Sequence, residues 1–476
     1  MMTNQEAPAE GWRSLLEVED RGIEPIPAEA QTSGPGELFW IWFAGNISIL
    51  GLPLGIWVVA GELNFWQALI AGFIGAVGSF AIVGIVSLSG QRGGAPTLTL
   101  SRATFGTRGN YFPTAVAILS RWGWETVNTV TAAFAVLSIG MVVAGHDMTP
   151  RSHPWIVVIA VLLFLALTMA VSGIGHQMLA AFQKWATYVF GLLTLVVIAF
   201  IVANADWHTV LSAETGSWST VLIGIGIGVV ASGTGIAWAN SGADLGRYQS
   251  RKTTPGSLVL TCAAGAGIPL VIMIGTGSLI GITMPDFDAG NPLSSIPALL
   301  PAWMSVPFLI SAFAGLLLSN NISVYSSGLT LLTMGMKVRR IVAVAADLFV
   351  SLVGSMVFLF LFESFYDAFI GFITLLAIPL TAWLGVFLVD MIKRSTYSAK
   401  DLTDIGPGSA YWYTNGFEVR ALTSWIVAIV VGFLFRFALP NSFIAQQGLE
   451  WFVVLLVSAT CYFSLGGAKS NAEVQP

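Results

Sequence analysis

Ser232-Gly233-Thr234-Gly235-Ile236-Ala237-Trp238-Ala239-Asn240-Ser241-Gly242 closes an apolar run that begins at Thr220. Glycine and small polar residues there weaken a helix at the depth where a spanning helix should be most regular. A second interrupted run comes earlier. Trp40-Ile41-Trp42-Phe43-Ala44-Gly45-Asn46 is followed by Gly51-Leu52-Pro53. The two breaks are five runs apart. That spacing predicts a five-plus-five inverted repeat with a substrate site at the breaks, because a broken helix frees backbone N–H and C=O groups to bind polar ligands without buried charge. Glycines that only allow close helix packing are the alternative; the matched pair favours the repeat.

The rest of the chain fits a bilayer. Only 9% of its 476 residues are charged and its mean hydropathy is +0.79, against about 25% charged residues in a soluble domain. About twelve runs reach the ~20 residues that cross a hydrocarbon core. They lie near Leu38–Ala60, Phe65–Leu88, Phe112–Ala144, Trp155–Ser172, Met178–Ala203, Thr220–Asn240, Ser257–Ile282, Ala302–Met334, Ile341–Phe360, Phe365–Asp390, Leu422–Leu439 and Gly448–Leu465. Lipid cannot satisfy backbone polar groups, so each run must be helical or hidden by other helices. The expected fold is an all-α polytopic membrane protein. A tail at 1–36 leads into a ten-helix core at 37–390. A loop at 391–420, two additional transmembrane helices at 421–466 and a tail at 467–476 follow.

Basic residues set the expected orientation. With the N-terminus cytoplasmic, seventeen of twenty Lys and Arg fall on cytoplasmic segments or just inside them, among them Arg13, the Arg247–Lys252 and Lys337–Arg340 groups, and Lys469. Opposite loops carry Asp206, Asp286, Asp288 and Glu363. Both termini are therefore expected in the cytoplasm of a multi-pass cell-membrane protein. The start of the chain has no apolar core, so the first span itself is expected to direct insertion. Cys262 and Cys461 lie inside spans and imply no disulfide framework.

The third run contains Arg121-Trp122-Gly123-Trp124-Glu125-Thr126-Val127-Asn128. Trp124 and Asn128 are four apart and share a helix face. Trp124 lies roughly 18 Å from the helix start at 1.5 Å per residue, near mid-membrane, away from the interfacial belts tryptophan favours. An indole beside an amide suits a flat, polar heteroaromatic ligand: the ring stacks and the amide reads an edge. Trp238 supplies a second indole. In the eighth run, Ser319-Asn320-Asn321-Ile322-Ser323 forms a polar cluster. Adjacent asparagines cannot share a face, so Asn320 or Asn321 is expected at the ligand and the other between helices. Glu125 is the deepest acid, with Arg121 one turn away as its expected ion partner or, alternatively, with a proton-carrying role. Asp244 and Arg247 read as a gate or capping pair. Gly224, Gly226 and Gly228 imitate a dinucleotide loop, but no strand precedes them. The four histidines lack metal-ligand spacing, and no nucleophile–base arrangement is visible.

At these residues the chain resembles the purine/cytosine permease family of nucleobase–cation symporters. The similarity runs from Arg21-Gly22-Ile23-Glu24-Pro25-Ile26-Pro27 through Leu100–Gly106 and Arg108-Gly109-Asn110 to the Trp124/Asn128 pair and Trp238-Ala239…Ala243-Asp244. Late in the chain it takes in Asp390 and Tyr411-Trp412-Tyr413…Gly416-Phe417. The resemblance implies the inverted-repeat fold of sodium-coupled amino-acid symporters with two extra helices. It also implies a base bound by Trp124, Asn128 and Trp238, faced by Ala44, Gly45 and Asn46, with Asn320, Asn321 and Ser323 at its edge. Members often have an asparagine just before a Tyr-Ser step where this chain has Ser323-Val324. Sodium-coupled relatives place eighth-span hydroxyls where this chain has Ala314 and Gly315, which points to proton coupling, while Ser311 one turn earlier keeps sodium in play.

The expected function is secondary active import of a nucleobase, cytosine or a purine, by alternating access with H+ or Na+ as coupling ion. No other cofactor and no metal site is expected; nor is nucleic acid or an obligatory protein partner. Rivals are a same-fold symporter for a hydantoin, allantoin, a thiamine-precursor pyrimidine or an amino acid, and, from other classes, a membrane-embedded enzyme, a receptor or a channel.

Overall fold

The computed structural model describes residues 15–212, 219–284, 287, 292–362 and 365–467, without the side chains at positions 292, 294, 298, 299 and 365–374. Arg13, Asp286, Asp288, Glu363 and Lys469, which entered the orientation argument, lie outside the described residues. The first span is a bent pair, Pro35–Asn46 and Gly51–Ala60, whose halves meet at 63°. The second to eleventh spans are Phe65–Gly93, Tyr111–Ala144, Pro154–Ser172, His176–Ala203, Thr220–Gly246, Pro255–Thr283, Ala302–Thr333, Arg340–Leu361, Phe365–Lys393 and Val419–Ala438. The twelfth helix, Glu450–Ser464, has 15 residues. At 1.5 Å per residue it measures roughly 22 Å, shorter than the expected run and than a full hydrocarbon core.

Local chemistry fixes the span ends. Asn64 and Gln67 form a reciprocal capping box at the start of the second span, which satisfies two orphan N–H groups. Gly94, at φ +65°, closes that span in the left-handed conformation. Thr254 caps the seventh span ahead of Pro255, where a missing N–H costs nothing.

The sixth span breaks in a π-helical turn at Ser232–Ile236, with Thr234 at φ −124°, ψ −107°. Such turns concentrate at functional sites. Ser79 of the second span clasps this break: its hydroxyl accepts from Gly235 N at 3.1 Å and lies 3.2 Å from Thr234 Oγ1. The two broken spans meet where Trp42 packs edge-on against Trp238, ring centres 5.8 Å apart.

Two packed groups result. The first, second, sixth and seventh spans pack on one another; the third, fourth, eighth and ninth form the other group. The tenth, eleventh and twelfth pack together, and the tenth leans on the third. Close approach inside the first group depends on small residues. A Cβ at Gly84 would lie 2.6 Å from Val259 Cα, and one at Gly265 would lie 2.8 Å from Phe39 O.

One end of the bundle is strapped shut by the segment before the first span. Glu19 sits between Arg247 (3.0 Å) and Arg340 (3.7 Å), accepts from His176 N at 2.9 Å, and hydrogen-bonds Tyr248 and Tyr325. Burial alone would raise the Glu19 carboxyl, but the two guanidiniums and the Tyr248 hydroxyl outweigh it and hold the group below its ordinary range. Further along, Arg247 Nη1 donates to Gly22 O at 2.7 Å, and Gln31 donates to Gln91 O and Arg247 O. The segment expected to be a tail is thus anchored to the helices at Glu19, Gly22 and Gln31, with exposed stretches between.

Candidate functional site

A cavity of about 400 Å³ lies between the two groups of spans, at both breaks. Trp124 and Asn128 line it from the third span, Trp238 from the sixth, Gly45 and Asn46 from the first, and Ser323 from the eighth. It extends towards Trp57, Trp451 and the Arg436–Glu450 ion pair (3.7 Å), at the end opposite the Glu19 strap. Two indoles, an amide and several small hydroxyl residues in a largely apolar hollow match the chemistry of one flat, polar ring.

The free polar atoms are few. Asn128 is 3% exposed, and its Oδ1 has no hydrogen-bond partner among the described residues. A buried, unpartnered carbonyl oxygen is costly unless something fills the cavity and donates to it. Ser48 Oγ and Ser241 Oγ are likewise unpartnered among the described residues, and both residues line the cavity. Asn46 is committed, since its amide donates back to Trp42 O at 2.8 Å.

Three expected positions fall outside the cavity lining. Asn320 donates to Thr168 Oγ1 at 3.2 Å and Asn321 Oδ1 accepts from Ser172 Oγ at 3.3 Å; both amides are fully buried against the fourth span. Their register turns them away from the breaks, so both join helices, where one of the two was expected at the ligand. Ala44 packs with Ala186 and Leu318 on the far side of the first span. In their place the eighth span presents Ser319, and the third presents Ser120. Ser319, Ser323 and Ser327 recur every four residues, a helix-face signal that an eye drawn to the two asparagines passes over.

Ser311 lies elsewhere, with its hydroxyl 2.5 Å from Thr194 Oγ1 and donating to Phe190 O at 3.1 Å. The small hollow beside it is lined mainly by Ile47, Ile49, Leu52, Val197, Ile198 and Met273. Gly315 packs flush on the first break: a Cβ there would sit 3.0 Å from Ile47 O.

The charges are arranged differently from the sequence expectation. Arg121 does not pair with Glu125. Its Nη2 reaches across to the sixth span, donating to Asn240 Oδ1 at 2.6 Å and Asn240 O at 3.0 Å, with Asp244 at 3.8 Å. Glu125 instead accepts from Ser323 (2.8 Å), Ser327 (2.6 Å) and Ser351 (3.1 Å) and lies against the Asp347 carboxyl. Asp244 and Arg247 do not pair either. Asp244 Oδ1 caps Thr97, accepting from its N–H at 2.7 Å and its hydroxyl at 2.9 Å, while Arg247 holds Glu19.

Residues 25–454 match the family of permeases for cytosine/purines, uracil, thiamine and allantoin. The chain belongs to this family. YxlA of Bacillus subtilis, provisionally named a purine-cytosine permease, is 27% identical over 94% of this chain and 96% of its own length. The purine-cytosine permease FCY21 of Saccharomyces cerevisiae is 24% identical over 56% of this chain and 49% of its own length. Among solved structures, the nucleobase-cation-symport-1 transporter Mhp1, closed with bromovinylhydantoin bound, superposes with a TM-score of 0.75 at 17% identity, covering 94% of each chain. A sodium-coupled sialic acid symporter superposes with a TM-score of 0.55 at 14% identity, over 90% of this chain and 93% of its own. This permease-family member is a multi-pass membrane transporter with the inverted-repeat fold, not an enzyme.

The family-like residues of the Leu100–Gly106 segment, Asp390 and the Tyr411-Trp412-Tyr413 stretch converge in space away from the cavity. Asp390 pairs with Arg394 at 2.8 Å and accepts from Thr104 at 3.0 Å and Tyr462 at 3.1 Å; Tyr413 donates to Ala103 O at 2.6 Å. They tie the loop after the second span to the loop before the eleventh.

Proposed function

We propose that this permease imports a nucleobase, cytosine or a purine, into the cytoplasm by alternating access, driven by a proton gradient. The observation that carries the reading is the shared hollow. Trp124 and Trp238 line one cavity at both helix breaks, with the unpartnered Oδ1 of Asn128 beside them. Stacking holds any flat heterocycle, and the amide oxygen selects one that offers a ring or exocyclic N–H at its edge.

Orientation follows from the basic residues. They support an orientation with Arg247, Arg340 and the strap at the cytoplasmic face, in keeping with cytoplasmic termini and a cavity that faces outward. Support for the proton comes from the eighth span. Ala314 and Gly315 bring no side-chain oxygen to the first break, and a sodium site with few oxygen ligands is weak.

The experiment is uptake of labelled cytosine and labelled hypoxanthine by cells expressing the protein, with a panel of unlabelled bases, allantoin and hydantoins as competitors. Saturable uptake abolished by a protonophore and unaffected by sodium removal is expected. Competition by hydantoins alone would transfer the site to that class; sodium dependence would overturn the proton.

A further inference from the structure

Three carboxyl groups and one guanidinium share the buried space beside the cavity. Arg121 is 4% exposed, Asp244 2%, and Glu125 and Asp347 0%. Arg121 is committed to Asn240 and Asp244 on the sixth span. That leaves Glu125 and Asp347 facing each other with no cation of their own among the described residues.

Four side chains among the described residues donate hydrogen bonds to the two carboxyls. From the eighth span, Ser323 and Ser327 donate to Glu125 Oε1; from the ninth, Ser351 donates to Oε2. The indole of Trp122 donates to Asp347 Oδ1 at 2.7 Å. Among the described residues, Asp347 Oδ2 alone of the four carboxyl oxygens has no donor, and Asp347 is the group against Glu125. Two adjacent carboxylates in a low-dielectric site cannot both stay ionised. A proton between them supplies the missing donor and removes the repulsion in one step.

Access comes from Ser323. The residue lines the substrate cavity and its hydroxyl donates to Glu125, so it connects the ligand space to the acid pair. We propose that the Glu125–Asp347 pair is the proton-binding site of this transporter, loaded from the substrate cavity through Ser323 and read out by Arg121. Once the shared proton leaves, both carboxylates can stay ionised only with Arg121 drawn back towards its own group of spans, one helical turn from Glu125. Protonated, it releases Arg121 to Asn240 and Asp244, the arrangement seen here, which ties the third span to the broken sixth. The proton thereby sets how firmly the two groups of spans are locked across the cavity. The remaining charged neighbours are Arg121 on the same helix and, beyond it, Asp244.

This rests on the reading of the chain as a proton-coupled base importer, so the test has two separable readouts. In proteoliposomes of the full chain, with the membrane potential clamped at zero, a one-unit pH gradient should drive about tenfold accumulation of labelled cytosine or hypoxanthine per proton carried. Glu125→Gln and Asp347→Asn should lose that accumulation yet retain exchange of labelled for unlabelled base, which shows that the variants fold and bind. Gradient-driven accumulation kept by both variants would overturn the proposal. Loss of exchange as well, in variants that stay monodisperse, would make the pair structural and overturn it too. Wild-type protein that transports neither base would sink the substrate reading instead. The second readout then decides the acid pair alone: infrared difference spectra across a pH titration should show a protonated-carboxyl band in wild type that is shifted or lost in each variant, and a band unchanged in either variant contradicts the assignment.

Discussion

Arg121 and Asn240 are joined across the cavity: the guanidinium of the third span donates to both the side-chain and main-chain oxygens of a residue just past the break in the sixth. One contact therefore couples the two packed groups of spans beside the space where a ligand would sit. A buried charge-assisted bond of this kind is strong when paired and costly when one partner is removed. Arg121→Lys keeps the charge but loses the forked donor geometry. It should slow net uptake more than exchange, measured side by side in proteoliposomes; equal loss of both would mean that Arg121 only supports the fold.

Trp124→Ala and Trp238→Ala should each weaken base binding. Stacking on an aromatic side chain is worth about 1–3 kcal/mol per base, or roughly fivefold to 150-fold in Kd. Titration of purified protein by isothermal calorimetry checks this, and unchanged affinity would remove the substituted indole from the site.

Asn128→Ala should change which base competes best while leaving protein abundance unaltered, because the amide reads an edge and its loss frees no other donor. An identical competition profile would argue against edge recognition. Asn320→Ala is the control. Its amide bonds Thr168 in a helix contact, so the variant should lower thermal stability by an interhelical bond, about 0.6 kcal/mol, with the competition profile intact.

The breaks, the spans and the two indoles were legible because glycine, proline and tryptophan are conspicuous in apolar runs. Side-chain direction was not. Asn320 and Asn321 stand out in composition, yet a helix turns about 100° per residue, and the face holding Ser319 and Ser323 was decided by packing against the third span. One-turn spacing points Arg121 at Glu125; its actual partner, Asn240, is 119 residues away. Asp347 gave no local sign that it would meet Glu125. Contacts fixed by tertiary packing leave no trace in spacing along one helix.

The Glu19 strap should depend on pH in one direction. Its carboxyl is held below the ordinary range, so its contribution is fully present above the unfolded-state value and is lost only as pH falls through the lowered one. Hydrogen exchange over residues 19–33, corrected for intrinsic rates, should be equally slow at neutral and mildly acidic pH. Glu19→Gln should speed it at both. Protection that fades between pH 7 and pH 6 would contradict the ion-paired strap.

The most direct test of the account is an experimental structure of the full chain saturated with whichever base competes best for uptake. Planar density between the Trp124 and Trp238 rings, with one edge against Asn128, is the predicted result. Density bound elsewhere while that hollow stays empty would contradict it.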